Sequence, residues 1–327
     1  MKQLLLSILL TSLTVIPAWP ASYLMLTDLG SSAEMIGKGN IEGFNYTSNS
    51  VFENPAGLRF IDSLSVSAFT TTIMEEVNYI NASVAYNTQS YGTIGLGYMS
   101  AGVTDIPFTK AIVSNGAPNG TRFVQDGSFE YKNTVMKLSY SYPFLKNIHL
   151  GASLGIYSNK IHEITGTGMG IDVGMIYKLG DILISLQGKN IGSSTITYKA
   201  GKAITTQNGN STTTIVDENY EATETLPLQT VFGLLYELGE FDVLGQLKFD
   251  GTNSLVSVGT TYTPGFLMDI LSFSIGYKEY SVLDAVKNTL TLGMGLDLYG
   301  INLNYAYEKS DHIEFDSNNY FSMSFNL

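Results

Sequence analysis

The chain has 327 residues, of which 44% are hydrophobic and only 14% charged, and it contains no cysteine. A formal net charge of −12, with arginine only at Arg59 and Arg122, excludes a nucleic-acid surface of clustered Lys and Arg. The lack of cysteine excludes a disulfide framework and a lipidated cysteine anchor.

The first residues, "MKQLLLSILLTSLTVIPAWPAS", place one Lys before an apolar run that ends in small residues. That is the layout of a secretory signal peptide, assigned to 1–21 with cleavage between Ala18 and Ser22. A short buried N-terminal helix is the alternative. After it, no stretch has the roughly 18 continuous apolar residues of a membrane helix.

Residues 22–60 show no strand periodicity but carry Leu24, Met25, Leu26, Leu29, Met35, Ile36, Phe44, Tyr46 and Phe52. A segment this apolar is expected to fold back as a hatch or plug. Met35, Ile36, Phe44, Tyr46 and Phe52 are candidates either to line an apolar ligand pocket or simply to pack. Asn54-Pro55-Ala56-Gly57 predicts a compact turn: Pro fixes φ, Asn before it favours turn initiation, and Gly57 permits positive φ.

From residue 61 to 327 the dominant pattern has period two. "SLSVSAFT", "INASVAY", "VMKLSYSY" and "IHLGASLGIY" alternate apolar with small or polar residues, the mark of half-buried strands. Such runs predict fourteen strands, near 63–74, 77–88, 91–101, 128–142, 147–160, 166–178, 181–190, 226–237, 242–249, 255–263, 271–278, 288–298, 301–308 and 320–327. The long connections, 102–127 and 191–225, and the shorter 279–287 and 309–319 all follow odd-numbered strands. Connections after even-numbered strands are shorter, as in "PFLKN" and "YG". Even strand number and one-sided long loops predict an all-β, antiparallel transmembrane barrel of the outer membrane with both termini periplasmic. On this reading Phe321, Met323, Phe325 and Leu327 of the last strand face lipid, while Tyr320, Ser322, Ser324 and Asn326 face the lumen, and the strand closes the barrel against the first one. An edge strand of a soluble β-sandwich is the alternative.

No catalytic or metal constellation is legible. His149 falls at a lumen-facing position, His162 just past its strand and His312 in the last long loop, with no metal-ligand spacing among them. "GTGMG" at 166–170 has its glycines at period two inside a strand, so it fits barrel bending or a close approach rather than a phosphate loop. "DGTNS" at 250–254 is a turn rather than a calcium loop. No enzyme and no cofactor are expected.

Gly37-x-Gly39 followed by Asn54-Pro55-Ala56-Gly57-Leu58 resembles the N-terminal hatch of FadL-type proteins. "GTGMGIDVGMIYKLG" with "ISLQGKNIG", "LPLQTVFGLLYEL" and "TLTLGMGLDLYGINLNYAYE" are similar to segments of the PorV/PorQ branch of that superfamily. The first resemblance implies a 14-stranded outer-membrane channel giving passive passage to hydrophobic molecules such as long-chain fatty acids. The second implies a component of protein secretion that binds protein partners, and a structural surface barrel is a third option. The partners expected are outer-membrane lipid, a hydrophobic small molecule, the barrel-assembly machinery through the C-terminal strand, and proteins at 102–127 and 191–225.

Overall fold

The computed structural model describes residues 26–73, 75–113, 121–162, 164–199, 202–208, 211–217, 221–282, 285–309 and 317–327. The expected signal peptide and His312 lie outside the described residues.

Period-two alternation becomes strand wherever it was read. The strands are β1 (Leu64–Ile73), β2 (Val77–Asn87), β3 (Thr93–Val113), β4 (Thr121–Leu145), β5 (Ile148–Ile161), β6 (Ile164–Leu179) and β7 (Ile182–Lys199). They continue with β8 (Lys202–Asn208), β9 (Ser211–Asp217), β10 (Glu221–Thr225), β11 (Gln229–Leu238), β12 (Phe241–Phe249) and β13 (Ser254–Tyr262). The last are β14 (Leu271–Val282), β15 (Ala285–Leu298), β16 (Ile301–Lys309) and β17 (Ser317–Asn326). β1–β7 and β11–β17 form a closed antiparallel ring in sequence order, with β7 against both β6 and β11 and β17 against β1. These are the fourteen strands expected. Closure removes the open edges that a sheet of this size would otherwise present. β10 extends the sheet along β7, and β8 and β9 form a separate hairpin.

The last residue is held by a reciprocal pair of hydrogen bonds to the first strand. Leu327 N–H donates to the Leu64 carbonyl at 2.8 Å, and Leu64 N–H donates to the Leu327 carbonyl at 3.2 Å. Outward-facing Phe321, Met323, Phe325 and Leu327 are all exposed, while Tyr320 and Ser324 are buried on the inner face. The same division runs round the ring: Leu138, Tyr140 and Tyr142 are exposed, and Lys137, Ser139 and Ser141 between them are buried.

The turns β2–β3, β4–β5, β6–β7, β11–β12 and β15–β16 are short and lie together at one end of the barrel. There Tyr299 (φ 53°) and Gly300 (φ 82°) make the two-residue turn between β15 and β16, the geometry that matches the strand twist.

Three expected loops need correction: 279–287 is mostly strand, since β14 runs to Val282 and β15 begins at Ala285, and the two long ones are largely paired as well. Much of 102–127 is paired strand, with β3 and β4 running to Val113 and from Thr121. Register shifts between Val103 and Ile106 and between Pro107 and Thr109, with Asp105 at φ 57°, scramble the alternation while pairing continues. Likewise 191–225 contains the end of β7, the β8–β9 hairpin and β10. Here β7 bulges: Met169 pairs with Thr195 but Ile171 with Ile191, so extra β7 residues are looped out of the ladder.

Candidate functional site in the barrel interior

Residues 26–61 pack inside the ring as short helical turns. Ser32 caps the α-helix α1 (Ala33–Gly37) by accepting from the Met35 N–H. Thr47 caps the turn Ser48–Val51, and Asn54 caps the turn Pro55–Phe60 by accepting from the Ala56 N–H at 3.0 Å, with Pro at the first helical position. The Asn54 amide also donates to Ser185 Oγ at 2.8 Å and to the Met175 and Leu186 carbonyls, both at 3.3 Å. One side chain thus caps its own turn and fastens that turn to β6 and β7.

Glycines on both the segment and the inner wall let the two meet closely. A Cβ on Gly37 would lie 2.7 Å from the Gly293 backbone, and one on Gly39 2.9 Å from the Tyr277 carbonyl oxygen. Gly151 and Gly174 seat Pro55 and Asn54, and Gly95 and Gly97 seat Val51, Phe52 and Leu58, at spacings that leave no space for a side chain. Gly57 does not take the positive φ expected of it. It lies within the turn Pro55–Phe60, and what it supplies is clearance, since a Cβ would stand 2.8 Å from Ser50 Oγ and 3.0 Å from the Asn45 carbonyl oxygen.

Of the candidate apolar residues, Met35, Ile36, Phe44 and Phe52 are buried. Ile36 and Phe52 belong to the larger apolar cluster; Phe44 and Ala56 pack in a second one with Ile41, Ile176, Leu183, Leu235 and Leu244. Tyr46 differs: it is 38% exposed and stands edge-on to Phe60 with ring centroids 4.9 Å apart.

The larger cluster contains residues that the alternation assigned to a polar lumen. Phe69 shares the inward phase of Ser65 and Ser67, Tyr79 that of Asn81 and Ser83, Tyr157 that of Ser153, and Tyr320 that of Ser324; all four aromatic residues are buried. Phe69 lies edge-on to Tyr79 at 5.2 Å and stacks with Tyr320 at 6.0 Å. Tyr79 donates to the Gly30 carbonyl at 2.6 Å and to Met99 Sδ at 3.1 Å. With Met99, Ala101 and Val135 they make an apolar, aromatic arc on the inner wall of β17 and β1–β5, facing Leu26, Ile36 and Phe52 of the segment. A bulky aromatic residue on the small-residue phase of a strand was the signal that could have found them.

The opposite wall is charged. Lys248 on β12 reaches Asp28 at 2.6 Å and Glu42 at 3.1 Å, and Lys189 on β7 pairs with Glu42. Gln229 donates to Asp28 at 2.9 Å, and Gln246 accepts from the Glu42 N–H at 2.7 Å. Burial alone would raise the Glu42 carboxyl, but the two lysines overcome it and hold the group down to about 2. Glu53 has no such counter-ion. Burial pushes its carboxyl up to about 7 despite hydrogen bonds from Ser31, Asn45 and the Gly43 N–H, and the Glu42 charge pushes the same way. Elsewhere in the interior, Lys137 pairs with Asp172 at 2.5 Å, and Asp172 also accepts from the Asn190 N–H at 2.9 Å beside the β7 bulge.

His149 packs edge-on to Phe60 with centroids 5.3 Å apart, and His162 lies 5.7 Å from both Phe108 and Phe129. Among the described residues, no three His, Asp or Glu side chains converge as a metal site. A cavity of about 580 Å³ is lined by Leu150, Val173, Met175, Leu186, Thr230 and Phe249 on the outward phase of their strands and by Gly151, Gly174 and Gln187 on the inward phase.

No protein-family model matches the chain, and no curated protein matches it. Solved structures do. The Ralstonia pickettii toluene transporter TbuX superposes with a TM-score of 0.60 at 12% identity, over 93% of this chain and 100% of that one. The Pseudomonas putida toluene transporter TodX gives 0.59 at 13% identity, over 91% and 99%. The monoaromatic hydrocarbon channel CymD gives 0.57 at 12% identity, over 92% and 98%. The likeness spans the barrel and is one of fold.

Proposed function

We propose that the protein is an outer-membrane barrel that gives passive passage to hydrophobic small molecules, with residues 26–61 as its hatch. The observation that carries this reading is the buried arc of Phe69, Tyr79, Met99, Tyr157 and Tyr320 on a lumen wall that strand phase would make polar. An apolar inner surface is of no use to a water-filled pore and suits a greasy solute that must cross a polar cell surface without entering water. Membrane placement is supported by the outward apolar face and by exposed Tyr86, Tyr91, Tyr142, Phe144 and Tyr299 at the short-turn end, the arrangement of an aromatic girdle. On this reading the long ribbons face outside and both ends of the barrel chain face the periplasm. The outward face of Phe321–Leu327 is offered to lipid and, during insertion, to the assembly machinery.

The solved structures of the same fold are named for toluene and monoaromatic hydrocarbons. Such compounds, together with long-chain fatty acids, are the solutes we assign. The test is native mass spectrometry of protein purified from its own membrane in mild detergent, followed by lipid extraction. A stoichiometric hydrophobic ligand is expected; an empty barrel with a stoichiometric protein partner would overturn the reading.

A second reading is favoured by the tight filling of the lumen and by the β3–β4 ribbon that continues past the strand ends of its neighbours. It makes the protein a PorV-like secretion component that binds proteins at its long ribbons, and the second outcome of the same experiment supports it.

A further inference from the structure

We propose that Asp28, Glu42, Lys189 and Lys248 form a charge latch whose opening releases the front of the N-terminal segment, residues 26–43, while its rear, residues 45–61, stays seated. The proposal rests on the passage reading above, in which this segment is what stands in the way of a solute.

The two halves share glycine seats and neutral hydrogen bonds, Gly259, Gly276 and Gly293 seating residues 37–39 of the front, but among the described residues the front alone is also fastened to the wall by ion pairs. The rear is held by Asn54, by glycine seats on β3, β5 and β6, and by serine hydrogen bonds such as Ser48 N–H to Ser65 Oγ at 2.9 Å. The front meets the wall of β7, β11 and β12 through charge. Lys189 is 0% exposed, Glu42 5%, Lys248 9% and Asp28 19%. Lys248 joins the two ends of the front, because it holds Asp28 before α1 and Glu42 after it. Gly43 (φ 99°) ends the front, packed against Ser185 of β7.

Stability alone does not account for such a cluster, since well-packed apolar side chains hold a buried contact as well or better. What two acids and two lysines supply is an all-or-none contact. Removing either acid leaves a buried lysine under-compensated, so the remaining pairs lose most of their advantage and water enters at once. The cluster is neutral when closed, and every member becomes soluble when open. That is the behaviour of a catch.

The test is hydrogen exchange on the full chain in lipid nanodiscs, with solute passage measured in liposomes. Glu42→Gln strips Lys189 of its partner. Amides of 30–43 should then exchange roughly a hundredfold faster, while those of 48–61 and of the strands stay as protected as before. Reversing the whole cluster, Asp28→Lys and Glu42→Lys with Lys189→Glu and Lys248→Glu, keeps every contact between opposite charges and should recover part of that protection, a result that mere loss of packing would not give. Unchanged exchange in 30–43, equal loss in 30–43 and 48–61, or no recovery in the reversed cluster would overturn the latch. Faster exchange with no gain in passage of a hydrophobic solute would leave the latch standing and count against the passage reading.

Discussion

Glu53 makes the docking of the N-terminal segment sensitive to pH, and the size of the effect follows from its surroundings. The carboxyl is buried and pushed up to about 7 from an ordinary 4.5. When the segment leaves the lumen the group returns to water and to its ordinary value. The docked state therefore binds the proton more tightly, so docking is favoured at low pH and weakened as pH rises from 4.5 through 7. The full difference corresponds to about 3 kcal/mol, at 1.36 kcal/mol per pKa unit. Between pH 5.5 and 8.5 it amounts to roughly a thirtyfold change in the docking equilibrium. Glu42, the nearest other acid, stays ionised throughout this window because its lysines hold it down to about 2. The assay is amide exchange of residues 45–61 in nanodiscs, corrected for the intrinsic pH dependence of exchange, in the wild type and in Glu53→Gln. Protection in the wild type should fall with rising pH, and the variant should show a flat profile. An equal pH dependence in the two proteins would refute the assignment to Glu53.

Other substitutions test other parts of the fold. Lys137→Met leaves Asp172 buried without its counter-ion and should lower stability by about 3–5 kcal/mol in urea unfolding. Asn54→Ala removes a cap and three wall hydrogen bonds, so exchange in 54–61 should rise; the cap alone contributes about 1 kcal/mol. Gly276→Val drives a side chain into the backbone of Lys38 and Gly39 and should destabilise the docked segment by about 1–3 kcal/mol, read as faster exchange across 33–41. Leu138→Arg puts a charge on the outward apolar face and should cost about 2–4 kcal/mol of folding stability in lipid; no loss there would count against a lipid-facing wall.

The barrel was legible because a strand that faces two solvents writes both faces into every other residue. Leu138 and Lys137, one apolar and one polar, end up exposed and buried in the reverse of the order a soluble protein would use. Alternation alone does not reveal that inversion; it follows from the even strand count and one-sided long loops, which identify the outer face as the apolar one. The pattern failed where a bulge changes its phase, so the β3–β4 ribbon and the outer part of β7 read as loop although their pairing continues. The interior was harder to read. A charge cluster that joins Asp28 and Glu42 to Lys189 and Lys248 across more than half the chain leaves no local trace, because each member is an ordinary charged residue in its own neighbourhood. The glycines also looked like flexibility: Gly57 was credited with a turn and proves to give clearance. Phe69, Tyr79, Tyr157 and Tyr320 were readable in principle, since each breaks the small-residue phase of its own strand. In a barrel, the informative residue is the one on the wrong phase. An aromatic side chain there gives up the roomy, hydrated lumen that its neighbours preserve, and a buried apolar surface inside a pore has a use only if something apolar rests on it: the hatch when the barrel is closed and, on the reading proposed here, a solute when it is open.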